Sequence, residues 1–204
     1  MKKAENAMYI NKTINRKNVN KDIFDTILVT LYKKCPAEKE HSLDVSELCT
    51  KLGSALQLSE TDINILRQAA ALHDIGKIIL DESILTSDSL SEEEFEKMQQ
   101  HSIVGYRILN LFDDKLDIAE LVYSHHERWD GTGYPQGLKG DQIPMLSRII
   151  SIVETYDRVS KKGELSLEER KKIALNVIKE GAGTQFDPQI AKAFLQMIEG
   201  QIKK

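Results

Sequence analysis

Ile23, Phe24, Ile27, Leu28 and Leu31 recur at three- and four-residue intervals, as do Val45, Leu48, Leu52 and Ala55 and then Ile63, Leu66 and Ala70. That spacing predicts three amphipathic helices within residues 20–74, with Gly76 placed to stop the third. Ser91 with Glu94 makes a capping-box pattern ahead of Phe95, Met98, Ile103 and Leu109, which opens a helix running to about Phe112. Another helix is predicted from Leu116 to about Glu127. The stretch from Trp129 to Pro144 holds four glycines and two prolines and predicts a long loop, and long loops inside compact domains are usually functional. Helical patterns resume at Met145–Val159, at Leu167–Lys179 behind a second capping box (Ser166, Glu169), and after Asp187 and Pro188. No stretch alternates as a strand would, so the predicted fold is all-α.

Composition narrows the class. The chain has 204 residues and a net charge of −4, which suits one globular domain and gives no basic field to coat a nucleic acid polymer. Locally the picture differs: residues 1–35 carry eight basic side chains against three acidic ones, and 1–36 are read as a basic leader with the first helix, ahead of a domain at 37–204. No apolar run could span a bilayer and no signal core is present, so a cytoplasmic protein without a membrane partner is expected. Cys35 and Cys49 stand alone and are expected to be reduced.

The histidines carry the chemistry. His41, His73, His101 and His125 are separated by 32, 28 and 24 residues, His126 follows directly, and Glu154 lies another 28 residues on. Each interval equals one helix plus one connection, so successive helices of a bundle would each deliver a side chain to one interior point. Asp74 adds a carboxylate able to bridge two cations. His125 and His126 lie about 100° apart on a helix and reach one ion only if it sits between them or the helix ends there, as the following Glu127, Arg128 and loop glycines suggest. Imidazole and carboxylate without thiolate favour octahedral iron, manganese or similar ions over structural zinc. Lys77 is expected just beyond a helix end, as a point charge for a phosphate oxygen. Asp130, Gly133 and Tyr134 belong to a turn whose glycines suit unusual backbone angles.

These residues fall in HDIGK (73–77), HSIVGYRIL (101–109), HHERWDGTGYPQGLKGDQIP (125–144), SRIISIVETYD (147–157) and GTQFDP (183–188). Together they resemble the HD-GYP domains, a bacterial subgroup of the HD phosphohydrolases, over about His41 to Phe194. The resemblance implies an HD-domain helical bundle with a long GYP loop and a two- or three-metal centre. It implies a metal-dependent phosphodiesterase that opens cyclic di-GMP to linear pGpG by way of a hydroxide bridging two metal ions. Position by position, it implies metal ligands at His41, His73, Asp74, His101, His125 and His126, with Asp74 bridging and catalytic and Lys77 on the phosphate side. Glu154 would complete one ion's shell, and Lys77, Asp130, Gly133 and Tyr134 would meet the substrate.

The chain departs from the family pattern at four places. Glu154 stands where the family has Asp, DRVSKKGELS replaces the family's Thr-Ser and Arg-Pro-Tyr-Arg stretch, Asp44 replaces an Arg, and Ala37 takes the place of the Glu that anchors a third ion. Two divalent ions, iron or manganese, are therefore expected. The alternatives are the same hydrolytic centre acting on another nucleotide, and a nucleotide-binding or interaction module. Regulatory input is expected from a protein partner, a homodimer or substrate level.

Overall fold

The computed structural model describes residues 20–87 and 89–202. The N-terminal part of the basic leader, residues 1–19, lies outside the described residues. Among the described residues nine α-helices follow in order: α1 (20–34), α2 (Pro36–Ala55), α3 (Glu60–Leu72), α4 (Glu82–Leu85), α5 (Glu92–Leu109), α6 (Leu116–Tyr123), α7 (Met145–Lys161), α8 (Leu167–Gly181) and α9 (Pro188–Ile202). Among the described residues the only strand-like pairing is an isolated bridge between Ala182 and Phe186. The all-α expectation holds.

Helix ends follow local chemistry. Ser59, Ser91 and Ser166 each cap the next helix by accepting from the backbone N–H three residues on, and the last two are closed into full boxes by Glu94 and Glu169. The sequence missed α4, a single turn, and overran α6, which ends at Tyr123. His125 and His126 therefore sit in the turn after a helix.

α7 is the axis of the bundle. Ile149, Ile150, Ile152, Val153 and Tyr156 are buried along it, and burying one such aliphatic side chain contributes about 1.5–3 kcal/mol. α2 packs on α3 and α7, α7 on α8, and α5 on α6 and on the 3₁₀ turn at Ile75–Ile79. α1 is held by buried Leu31 and by Phe24, whose ring meets Phe112 edge-on at 5.2 Å. Both cysteines are free and buried.

Gly76 does not end α3 through a left-handed cap. It lies inside the 3₁₀ turn, and a Cβ there would fall 1.9 Å from the His101 carbonyl oxygen and 2.5 Å from Gly105 N. Gly76 is required by the close approach of two backbone segments, the one bearing Asp74 and the one bearing His101.

Candidate metal centre

All five histidines, Asp74 and Glu154 converge on one point of the bundle, in two adjoining groups. His41, His73, Asp74 and Glu154 form the first and His101, His125 and His126 the second, with ligand-capable atoms in each group within 4.8 Å of one another. α2 delivers His41, the end of α3 delivers His73 and Asp74, α5 delivers His101, the turn after α6 delivers His125 and His126, and α7 delivers Glu154.

The imidazoles are aimed by their own backbones. Nδ1 of His73, His101 and His125 donates to the carbonyl of the residue three before it, Ala70 at 2.7 Å, Met98 at 2.5 Å and Val122 at 2.5 Å. His41 Nδ1 donates to Asp157 Oδ2 at 2.6 Å. A carbonyl or carboxylate accepts only N–H, so the proton of each neutral ring is fixed on Nδ1 and the Nε2 lone pair points inward. His41 Nε2 then lies 3.2 Å from His73 Nε2, and His101 Nε2 lies 3.3 Å from His125 Nε2. His101 and His125, both neutral, have no proton to place in their gap, and neither do His41 and His73 once His73 gives up its Nε2 proton. Two lone pairs at that distance call for a cation between them.

Asp74 links the groups: Oδ2 is 3.2 Å from His73 Nε2 and 3.7 Å from His41 Nε2, whereas Oδ1 is 3.4 Å from His101 Nε2. Oδ1 is buried without a hydrogen-bond donor, an arrangement costly for a carboxylate unless a cation takes the lone pairs. The donor set therefore fits two divalent ions sharing Asp74.

The electrostatics agree. Burial lowers the pKa of His41, His125 and His126 and, with His126 beside it, brings His101 to about 3, which keeps these rings neutral and able to ligate. Of the five, His73 is shifted upward: burial pushes it down, but Asp74, Glu154 and the Ala70 carbonyl together outweigh burial. Burial opposes ionisation of Asp74 and Glu154, yet both are held well below the usual carboxylate range, Asp74 by His73, Lys77 and Arg158, Glu154 by His126, Arg158 and His73.

Lys77 is not at an open edge. It is buried in the 3₁₀ turn, where Nζ donates to Asp74 Oδ2 at 2.7 Å and Glu38 Oε1 at 3.1 Å, so the buried ammonium is paired with two carboxylates. Of the three loop candidates, Tyr134 reaches the histidines, its ring lying over His126 with centroids 4.8 Å apart. Asp130 is occupied within the loop by Arg128, Thr132 Oγ1 and Thr132 N. Gly133 gives the loop room: a Cβ would lie 2.3 Å from Arg128 N and 2.6 Å from the His126 carbonyl oxygen.

Several residues of the site escaped the sequence. Asp157 orients His41, Arg158 bridges Asp74 (2.5 Å) and Glu154 (2.9 Å), and Glu38 faces Lys77 and Arg158. Glu38 lies three residues before His41 and Arg158 four after Glu154, so helical spacing from the ligands was the available signal. Glu127 accepts from Gln136 N and Leu138 N and pins the loop, while Arg148 joins the Asp187 cap to the Trp129 ring. A cavity of about 530 Å³ between α1 and residues 112–115 contains none of the candidate ligands.

The family described as HD domain matches residues 27–190, so the chain belongs to the HD domain family. The HHE run leading into DGTGYP places it among the HD-GYP members. The chain is 35% identical over 160 residues to a cyclic di-GMP phosphodiesterase of Thermotoga maritima, covering 77% of this chain and 44% of that protein. It is 33% identical over 157 residues to a 3′3′-cGAMP-specific phosphodiesterase of Vibrio cholerae, covering 76% and 34%. The chain thus spans less than half the length of these curated relatives. The HD domain of the Listeria monocytogenes phosphodiesterase PgpH, solved with cyclic-di-AMP, shares the fold with a TM-score of 0.62 at 18% identity, covering 87% of this chain and 95% of that one. No described helix is long and apolar enough to cross a membrane.

Proposed function

We propose that this chain is a metal-dependent phosphodiesterase whose substrate is a cyclic dinucleotide, cyclic di-GMP before others, opened to the linear dinucleotide. The observation that carries this reading is the pair of close Nε2–Nε2 contacts, one in each ligand group, with Asp74 between them. His41, His73, Asp74 and Glu154 hold one divalent ion, iron or manganese, and His101, His125, His126 and Asp74 hold the second. When bound, two such ions neutralise a phosphodiester and activate the attacking water at neutral pH. The chain's own groups bind and orient: backbone carbonyls and Asp157 fix the imidazole tautomers, Lys77 keeps Asp74 ionised, and Tyr134 packs over His126 at the loop side. Lys77 thus contributes to turnover through Asp74, and Tyr134, Gly133 and Asp130 shape the wall the substrate meets.

A second reading keeps the centre and changes the nucleotide. It is favoured by the altered DRVSKKGELS segment and by the cGAMP-specific relative. Metal analysis of anaerobically purified protein with a hydrolysis screen over cyclic di-GMP, 3′3′-cGAMP and cyclic di-AMP tests both. Two ions per chain with cyclic di-GMP cleaved fastest is expected. Preference for another cyclic dinucleotide selects the second reading, and a fully metallated protein that cleaves none of them, nor bis-p-nitrophenyl phosphate, refutes the enzyme.

A further inference from the structure

Arg158 sits one helical turn beyond Glu154 on α7, and its guanidinium occupies the two carboxylates of the first ligand group. Nη2 donates to Asp74 Oδ2 at 2.5 Å, Nε donates to Glu154 Oε1 at 2.9 Å, and Nη2 lies 3.8 Å from Glu38 Oε2, itself buried without a hydrogen-bond donor. Asp74 Oδ2 also receives Lys77 at 2.7 Å. Two protein cations and a divalent ion cannot all share that oxygen: a third positive charge meets both repulsion and the lack of a free lone pair.

The two protein cations are not equally placed. The Lys77 side chain is 5% exposed and enclosed between Asp74 and Glu38, whereas the Arg158 side chain is 39% exposed and approaches Asp74 from the solvent side. Arg158 is therefore the cation that can leave. Its long stem lets the guanidinium swing outward while α7 stays fixed, and the planar fork that fits two carboxylates also fits two phosphate oxygens. Arg158 also lies in DRVSKKGELS, the segment in which the sequence departs from the family pattern.

We propose that Arg158 competes with the divalent ion for the oxygens of Asp74 and Glu154 and, once displaced, becomes a ligand of the substrate's phosphate. The second half rests on the phosphodiesterase reading. Arg158 would then set how much divalent ion is needed to fill the site and would couple that filling to phosphate binding.

The test uses Mn²⁺ alone and then inorganic phosphate, so that no nucleotide need be identified. The full chain is stripped with chelator and titrated with Mn²⁺ by calorimetry as wild type, Arg158→Met and Arg158→Gln, with circular dichroism confirming the fold of each. Removing the competing charge is expected to tighten one Mn²⁺ binding step at least tenfold in either neutral variant, and Arg158→Lys should lie between. Unchanged or weaker Mn²⁺ binding in a folded neutral variant overturns the proposal and leaves Arg158 as a support for Glu154. In Mn²⁺-saturated protein, phosphate should bind at least tenfold more weakly to Arg158→Met than to wild type, and equal phosphate affinity overturns the transfer to substrate. A wild type that binds Mn²⁺ and phosphate as expected yet cleaves no cyclic dinucleotide would refute the proposed function and leave the role of Arg158 standing.

Discussion

Gly76→Ala is expected to damage fold and metal binding together. The added Cβ would sit 1.9 Å from the His101 carbonyl oxygen, 2.5 Å from Gly105 N and 2.8 Å from the His101 carbonyl carbon, all backbone atoms. Real Cβ contacts essentially never fall below 3.0 Å, so α5 and the 3₁₀ turn must part by about 1 Å, with no flexible side chain to absorb the shift. Overpacking usually costs about 1–3 kcal/mol, and a clash confined to backbone belongs at or above the upper end, about 3 kcal/mol. The same displacement moves His101 away from Asp74 Oδ1, now 3.4 Å from its Nε2, and so pulls the two ligand groups apart. Urea unfolding of chelator-treated protein should show the stability loss, and metal analysis of the loaded protein should show less than two ions per chain. Gly53→Ala is the control, since its nearest neighbours are the flexible side chains of Leu66 at 3.2 Å and of Ile63 and Leu58 at 3.4 Å. A Gly76→Ala protein with the wild-type midpoint and both ions would refute the reasoning.

Other outcomes follow from the same geometry. Asp157→Asn takes the charged acceptor from His41 Nδ1 and should weaken divalent ion binding about 10–100-fold in a Mn²⁺ titration, an unchanged affinity counting against the orienting role. Lys77→Ala leaves Glu38 and Asp74 without their buried ammonium and should cost about 3–5 kcal/mol in urea unfolding while two ions are retained; loss of an ion would mean that Lys77 does more than hold Asp74. Glu154→Ala should lose one ion, whereas Glu154→Asp should keep two and change rate or metal preference; full metal and full activity in the alanine variant would remove Glu154 from the ligand set. Acid should destabilise the chelator-treated protein. His101 and His125 have depressed folded pKa values, so the unfolded chain binds the extra protons, and stability falls as pH drops below about 6.5 towards the folded value, about 3 for His101. His101 would remove about 2 kcal/mol between about pH 7 and 5 and His125 acts in the same sense, with His73, shifted upward, acting in the opposite one. A flat unfolding midpoint over that range would contradict the burial of neutral imidazoles.

The helices and the ligand inventory were legible in the chain because both are periodic. Apolar residues every three or four positions mark a buried helical face whatever lies opposite, and the serine–glutamate boxes mark where helices begin. The near-regular histidine spacing marked a meeting point because one helix and one connection take a nearly constant length. Three things were decided only by tertiary packing. The first is which nitrogen of each ring faces inward, since that depends on carbonyls at Ala70, Met98 and Val122 and on Asp157, 116 residues from His41. The second is the role of Gly76, read as a helix stop from its place after α3 yet required by α5, a segment 25 residues downstream. The third is the set of charges around Asp74. Glu38, Lys77, Arg158 and Glu154 come from three elements, and each side chain alone looks like an ordinary surface charge on a helix. Their effect arises only when burial removes the water between them, because in a medium of low dielectric a charge is tolerated only beside its opposite, and the full cluster needs Glu38 from α2, Lys77 and Asp74 from the turn after α3, and Glu154 and Arg158 from α7.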